Sequence, residues 1–201
     1  MIIDETYFIF DINVPQNFPN IQYYIDRYEK EILVKGLGYQ LYKDFTEGLA
    51  QETIDQKWLD LRDGKDYEID GVLVHWNGLA NEEKKSLIAY YVYYWIRRNS
   101  VSVMGNNGGQ MINDFENAGN TDSLLQQSIA WNEMLELYGV VPEINYNVID
   151  NLGNKFFIPN NTTAITYEPT LFNFLAYSNR NETVYHNWVF TPLEAINSWV
   201  I

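Results

Sequence analysis

NEEKKSLIAYYVYYWIRRN, residues 81–99, is the stretch whose reading decides the fold. Its middle, residues 87–96, is an unbroken run of ten aliphatic or aromatic residues. Tyr, Val, Trp and Ile all favour strands, so the run by itself fits a helix or a buried strand. The flanks decide between them. Asn81 is a good N-cap, which places Glu82 and Glu83 in a first turn, where negative charge meets the positive end of a helix. Arg97 and Arg98 fall in a last turn, where cations belong. The sequence therefore predicts one helix over residues 81–99, about 28 Å long. Leu87, Ile88, Tyr91 and Trp95 lie on one stripe, Ala89, Val92 and Ile96 on a second, and Tyr90, Tyr93 and Tyr94 fill the rest. A helix apolar all round is buried all round. The run is too short for a membrane span, which needs about 20 apolar residues. Buried tyrosine hydroxyls need partners, so some of these are expected at a surface or a subunit contact.

Outward from this helix the elements follow in order. Residues 1–16 read as an arm with a short strand. Asn17 or Asn20 caps a first helix in which Ile21, Tyr24, Ile25, Tyr28, Ile32 and Leu33 recur at helical spacing. After Gly36 and Gly38, the strict i+4 series Leu37, Leu41, Phe45 and Leu49 gives a second or kinked helix. Residues 54–63 form a short helix with Trp58 and Leu61 inward. Asp70-Gly71 between two apolar runs is a hairpin signal. Residues 100–120, rich in glycine and without a period, read as a long mobile loop. The next helix turns Leu124, Leu125, Ile129, Met134, Leu135 and Tyr138 to the core and stops at Gly139.

Composition then shifts. Residues 1–150 carry a net charge of −13, and residues 151–201 a net charge of −1 with ten aromatics and nine asparagines. Residues 156–158 and 164–167 look like strands around a turn. The expected architecture is mainly α: a helical bundle around a central buried helix, with a small β-hairpin and a β or extended C-terminal appendage. It divides into a helical body, residues 1–150, and a C-terminal assembly segment, residues 151–201. A near-neutral aromatic surface beside an acidic body lowers the repulsion between identical subunits. Phe156, Phe157, Phe172, Phe174, Trp188, Phe190 and Trp199 are accordingly assigned as subunit or partner contacts.

The chain has 201 residues and a net charge of −14. That charge argues against a protein that grips nucleic-acid phosphates. There is no cysteine, hence no disulfide, thiol nucleophile or zinc–thiolate site. The first residues show no signal-peptide pattern. The glycine loop Gly105-Asn106-Asn107-Gly108-Gly109 lacks the Gly-Lys-Ser/Thr that a phosphate cradle needs. His75 and His186 are the two histidines, and neither sits in a ligand spacing. With 27 acidic residues, carboxylates pair at helical spacing by chance. No catalytic, cofactor-binding or metal-binding residue is assigned, and an enzyme is not expected.

Several stretches carry a family resemblance. Glu31-Ile32-Leu33 through Leu37-Gly38-Tyr39-Gln40-Leu41-Tyr42-Lys43-Asp44-Phe45 resembles the opening helical segment of head–tail connector proteins from tailed phages that infect Bacteroidetes, crAss-like phages among them. These are also called adaptor, head-completion or ring proteins. The similarity extends to Trp58 followed by Gly64, to Trp76-Asn77-Gly78-Leu79 and to the helix ending Arg97-Arg98-Asn99. It resumes at Trp131-Asn132-Glu133-Met134 and at the closing Asn197-Ser198-Trp199-Val200-Ile201. The resemblance implies a non-enzymatic structural virion protein without cofactor, made in the host cytoplasm and placed in the neck. It implies a homo-oligomeric ring, commonly twelvefold, that links the portal protein to the tail or further neck proteins. It also implies that DNA passes along the ring's channel without specific binding and that no membrane is involved. The alternative is a glycan-binding or surface-recognition module of a phage or gut bacterium. A hydrolase with a carboxylate pair is a third reading.

Overall fold

The computed structural model describes residues 1–15, 18, 20–69, 71–100, 102–105, 108–111, 123–139, 168–182, 184–191 and 193. Two 3-10 turns, Glu5–Tyr7 and Phe10–Ile12, form the N-terminal arm in place of the expected strand. Arm and first helix meet through Glu29, whose carboxylate accepts the amides of Ile2 and Ile3 at 3.0–3.1 Å. Helix α1 covers Ile21–Leu37 and α2 covers Tyr39–Leu49. Asn20 is not a side-chain cap: it stands in left-handed backbone with φ 65° and its amide makes no capping bond. Helix α3, Gln56–Asp63, buries Trp58 and Leu61 as expected. Strands β1, Lys65–Ile69, and β2, Val72–Trp76, pair antiparallel, with Ile69 opposite Val72. The two-residue connection is the one that Asp70-Gly71 announces. Gly64 and Gly78 close this unit, with φ of +112° and +78°. A Cβ on Gly64 would lie 2.4 Å from the Trp76 carbonyl oxygen, and one on Gly78 would lie 2.4 Å from the Asp63 carbonyl carbon. Only glycine lets the end of α3 and the end of β2 run this close.

The central helix, α4, covers Leu87–Ser100 rather than 81–99. Asn81 ends up outside it because its amide serves a turn instead. Its backbone is left-handed, φ 47°. Its Oδ1 accepts the Glu83 N–H at 2.9 Å and its Nδ2 donates to the Lys85 carbonyl at 2.8 Å. Ser86 takes the cap, its Oγ accepting the Ile88 N–H at 3.2 Å and donating to the Leu79 carbonyl at 2.7 Å. Leu87 to Tyr94 and Ile96 are all buried, and Trp95 is half-buried. The tyrosine hydroxyls find their partners inside the subunit. Tyr90 donates to Asp11 at 2.7 Å, Tyr91 to Glu31 at 2.7 Å and Tyr93 to Gln126 at 3.4 Å, while Tyr94 accepts from Arg98 at 3.3 Å.

Of the loop expected over residues 100–120, residues 101, 106–107 and 112–120 lie outside the described residues. Strands β3, Ser102–Gly105, and β4, Gly108–Met111, form a second antiparallel hairpin. Helix α5, Ser123–Tyr138, lies along α4. Trp131, Met134, Leu135 and Tyr138 are buried as expected, but Leu125 and Ile129 are 52% and 46% exposed. The stripe that docks is Gln127, Trp131, Met134 and Tyr138, and Leu125 and Ile129 lie two positions off it, on the far side. Among the described residues no helix is long and apolar enough to cross a membrane.

The C-terminal segment departs most from expectation. Leu171–Glu182 is a helix, α6, not a strand or extended piece. Thr170 caps it, its Oγ1 accepting the Asn173 N–H at 3.2 Å. Leu171, Phe174, Leu175, Tyr185 and Leu193 belong to the same buried cluster as α1 to α5. The described residues of this segment, from Thr170 to Leu193, pack into the subunit's core. The strand expectations at 156–158 and 164–167 lie outside the described residues.

Candidate assembly surface

The aromatic residues assigned as contacts separate into three groups. Phe156, Phe157 and Trp199 lie outside the described residues. Phe174 is 1% exposed and stacks on Trp76 at 5.4 Å and 11°. Its assignment as a partner contact is corrected, because Leu171, Phe174 and Leu175 at helical spacing turn it inward. Phe172, Trp188 and Phe190 are half-buried and form one cluster. Phe172 lies 5.5 Å from Trp188 and 4.8 Å from Phe190, and Phe190 lies 4.8 Å from Tyr138.

A strap of residues 184–191 holds this cluster over the junction of α1 and α2. Tyr185 anchors it by donating to the Lys57 carbonyl at 2.7 Å. Trp188 Nε1 donates to the Gly36 carbonyl at 2.9 Å. The amides of Val189 and Thr191 donate to the carbonyls of Leu37 and Lys35 at 3.2 Å each. The strap thus takes the last carbonyls of α1, which a helix end leaves without intrahelical donors. Gly36 is crowded by α5 and α6 instead: its Cβ would stand 3.0 Å from Leu171 and 3.1 Å from Tyr138. Val189, 63% exposed, sits on the strap's outer side.

Two groups of charges shape the electrostatics. Desolvation raises the Glu29 carboxyl above the usual glutamate value, against the Ile2 and Ile3 amides that favour its charge. Burial alone would raise Glu31 too, but hydrogen bonds from Lys35 at 2.7 Å and Tyr91 at 2.7 Å outweigh it and lower its pKa. Both carboxylates lock neighbouring elements together, Glu29 the arm to α1 and Glu31 α1 to α4. His75 is exposed and meets Asp66 across the first hairpin at 2.6 Å, and His186 is exposed on the strap. Among the described residues no group of His, Cys, Asp or Glu is placed to hold a metal ion.

The surface also carries features that the sequence reading missed. Phe10 is 86% exposed although its φ is 54°. It borders a cavity of about 230 Å³, which Ile9, Asp11, Glu83, Lys84 and Tyr90 also line. Tyr23 and Tyr39 are 58% and 66% exposed on α1 and α2. Nothing in the local sequence marks Phe10, since left-handed backbone is rare at a bulky residue and is imposed here by the contacts on either side. No family model matches the chain, and no curated protein and no solved structure matches it either.

Proposed function

We propose that this chain is a structural virion protein, one subunit of a ring at the head–tail junction that docks beneath the portal and carries the DNA channel towards the tail. The observation that supports this is spatial. The described segments that resemble connector proteins are far apart in sequence but share one core, while the closing segment, residues 197–201, lies outside the described residues. Phe45 of the first segment packs on Trp58 at 5.9 Å. Trp76 donates its indole N–H to the Leu61 carbonyl at 3.3 Å, next to Trp58 in α3. Trp131 packs on Tyr94 and Tyr91 of α4 at 4.6 and 5.9 Å. The half-buried patch of Phe172, Trp188 and Phe190 then offers aromatic surface for a neighbouring protein.

The glycan-binding alternative needs exposed aromatics aligned on a flat sheet. In the first hairpin Tyr67 and Trp76 point inward, and the outward positions are Lys65, Asp66, Glu68, Val72, Leu73 and His75. That favours the connector reading. The test is the particle mass and symmetry of the purified protein, alone and with the portal protein, by native mass spectrometry and electron microscopy. A closed ring, formed alone or on the portal, supports the proposal. A monomer that ignores the portal overturns it.

A further inference from the structure

Among the described residues four non-glycines have positive φ, and three of them meet at one end of α4: Phe10 at 54°, Asn81 at 47° and Lys84 at 62°. Strained backbone of this kind persists only where its surroundings fix it. They do so on both sides of Phe10. Lys84 Nζ donates to the Thr6 carbonyl and hydroxyl at 3.3 and 2.5 Å. Tyr90 holds Asp11. The arm is pinned before and after Phe10, and the phenyl ring is left in solvent. The charges around it are mixed, with Lys84 and Lys85 beside Asp11 and Glu83 on the cavity, and acids are in excess. Glu5, Asp11, Glu82 and Glu83 are exposed. Lys85 is taken up by Glu133 at 2.8 Å, and among the described residues Glu5, Glu82 and Glu83 have no ion-pair partner.

The other end of α4 has the opposite character. Tyr23, Arg27 and Lys30 are exposed at i, i+4 and i+7 on one stripe of α1. Arg98 joins them from the last turn of α4. The Tyr28 ring lies flat on Trp95, at 5.0 Å and 2°, and ties the two helices. Arg27 sits 5.3 Å from the Tyr28 centroid and Arg98 sits 5.0 Å from that of Trp95. Neither arginine, nor Lys30, forms an ion pair among the described residues. Asp26 and Glu31 also lie on this side of α1, and Glu31 is already paired with Lys35, so cations remain in excess. In a chain of net charge −14 this aromatic face with its cationic excess stands about 12 Å along α4 from the turn that holds Asp11.

The geometry points to a head-to-tail contact between two copies of this chain, in which Phe10 and the acids around it on one copy meet Tyr23, Arg27, Lys30 and Arg98 on the next. The inference rests on the ring reading and names the two faces that would form it. A contact between different faces is heterologous, and it closes into a ring when its rotation divides the circle. Guanidinium groups suit it because they pair with carboxylates in a planar fork and stack on aromatic rings such as Phe10. A nucleic acid on the arginine face is the competing occupant, but it would leave Phe10 and the acidic end without a role.

The test uses the full chain, alone and with the portal protein, and reads particle mass together with melting temperature. Asn tolerates left-handed backbone, so Phe10→Asn should keep the melting temperature and lose the wild-type particle mass. The double variant Arg27→Glu, Arg98→Glu should also lose it, as should Glu82→Arg, Glu83→Arg. Mixing the two charge-reversed proteins should restore the large particle, because each swapped face then meets its complement. Variants that keep wild-type mass in a multimeric wild type would overturn the contact and leave the ring reading standing. Loss of oligonucleotide binding in the arginine variant with the particle intact would overturn it in favour of a nucleic-acid face. A wild type that stays monomeric with and without portal would overturn both readings.

Discussion

Glu29 shows how a single side chain sets a pH dependence. The residue is 8% exposed, and burial raises its pKa although two amides point at its carboxylate. A group with a raised folded-state pKa contributes stability that is fully present below its ordinary value, 4.5 here, and that is lost as pH rises through the raised value. Glutamine at this position keeps an oxygen for the Ile2 and Ile3 amides and carries no charge. The stability difference between Glu29→Gln and wild type should therefore move in the variant's favour as pH is raised from 4.5 to neutrality. Urea titrations at several pH values measure it, and a difference independent of pH would refute the assignment. Gly48 is a second single-residue test. A Cβ there would stand 2.0 Å from Trp58 Nε1. Alanine favours a helix over glycine by about 1 kcal/mol, yet overpacking of this kind costs about 1–3 kcal/mol or more. Gly48→Ala should lower the melting temperature, and an unchanged or raised value would mean that Trp58 moves aside without cost.

At the scale of elements, α6 and the strap decide whether the C-terminal segment belongs to the subunit. Leu171, Phe174, Leu175, Tyr185 and Leu193 are all at most 6% exposed. Burying each is worth about 1.5–3 kcal/mol, and together that is comparable with the whole net stability of a domain, about 5–15 kcal/mol. A chain cut after residue 167 should keep helical far-ultraviolet dichroism but lose its near-ultraviolet signal and bind ANS, as a molten state does. A cooperatively melting fragment would return the segment to a pure assembly role. Much of this fold was legible in the sequence. The i+4 series of α2, the Asp-Gly turn of the first hairpin and the apolar run of α4 each carry a local signal that tertiary packing reinforces. Helix α6 had a signal that composition masked: Thr170 before Leu171, Phe174 and Leu175 is a cap followed by helical spacing, but the surrounding asparagines and aromatics read as irregular. The burial of α5 was ambiguous for another reason. The helix is apolar on two faces, and only the partner, α4, selects which one docks. The candidate site was least legible, because exposure of Phe10 and burial of Phe174 are set by residues distant in the chain.

For the whole molecule the governing quantity is the net charge of −14. On the proposed ring reading the chain surrounds DNA without holding it, and such a protein must not offer the phosphates a net attraction. The described cations that stand exposed without an ion pair at the arginine face are Arg27, Lys30 and Arg98. If all three met phosphates, affinity would fall with salt with a log–log slope of only about −2.7. Non-specific binders reach dissociation constants of about 10⁻⁴–10⁻⁶ M through many more such contacts. Here the net charge of −14 repels the polyanion, and screening at physiological salt, with a Debye length of about 8 Å, does not turn repulsion into attraction. In a head-to-tail assembly the same three cations would face the neighbour's Glu5, Glu82 and Glu83, which leaves still less positive surface for DNA. The purified chain should therefore show no measurable binding to a labelled duplex at physiological salt, in whatever assembly state it is purified. Fluorescence anisotropy measures this directly. Micromolar binding that weakens steeply with added salt would show a cationic path that the charge balance conceals, and the passive-channel reading would then fail on electrostatic grounds.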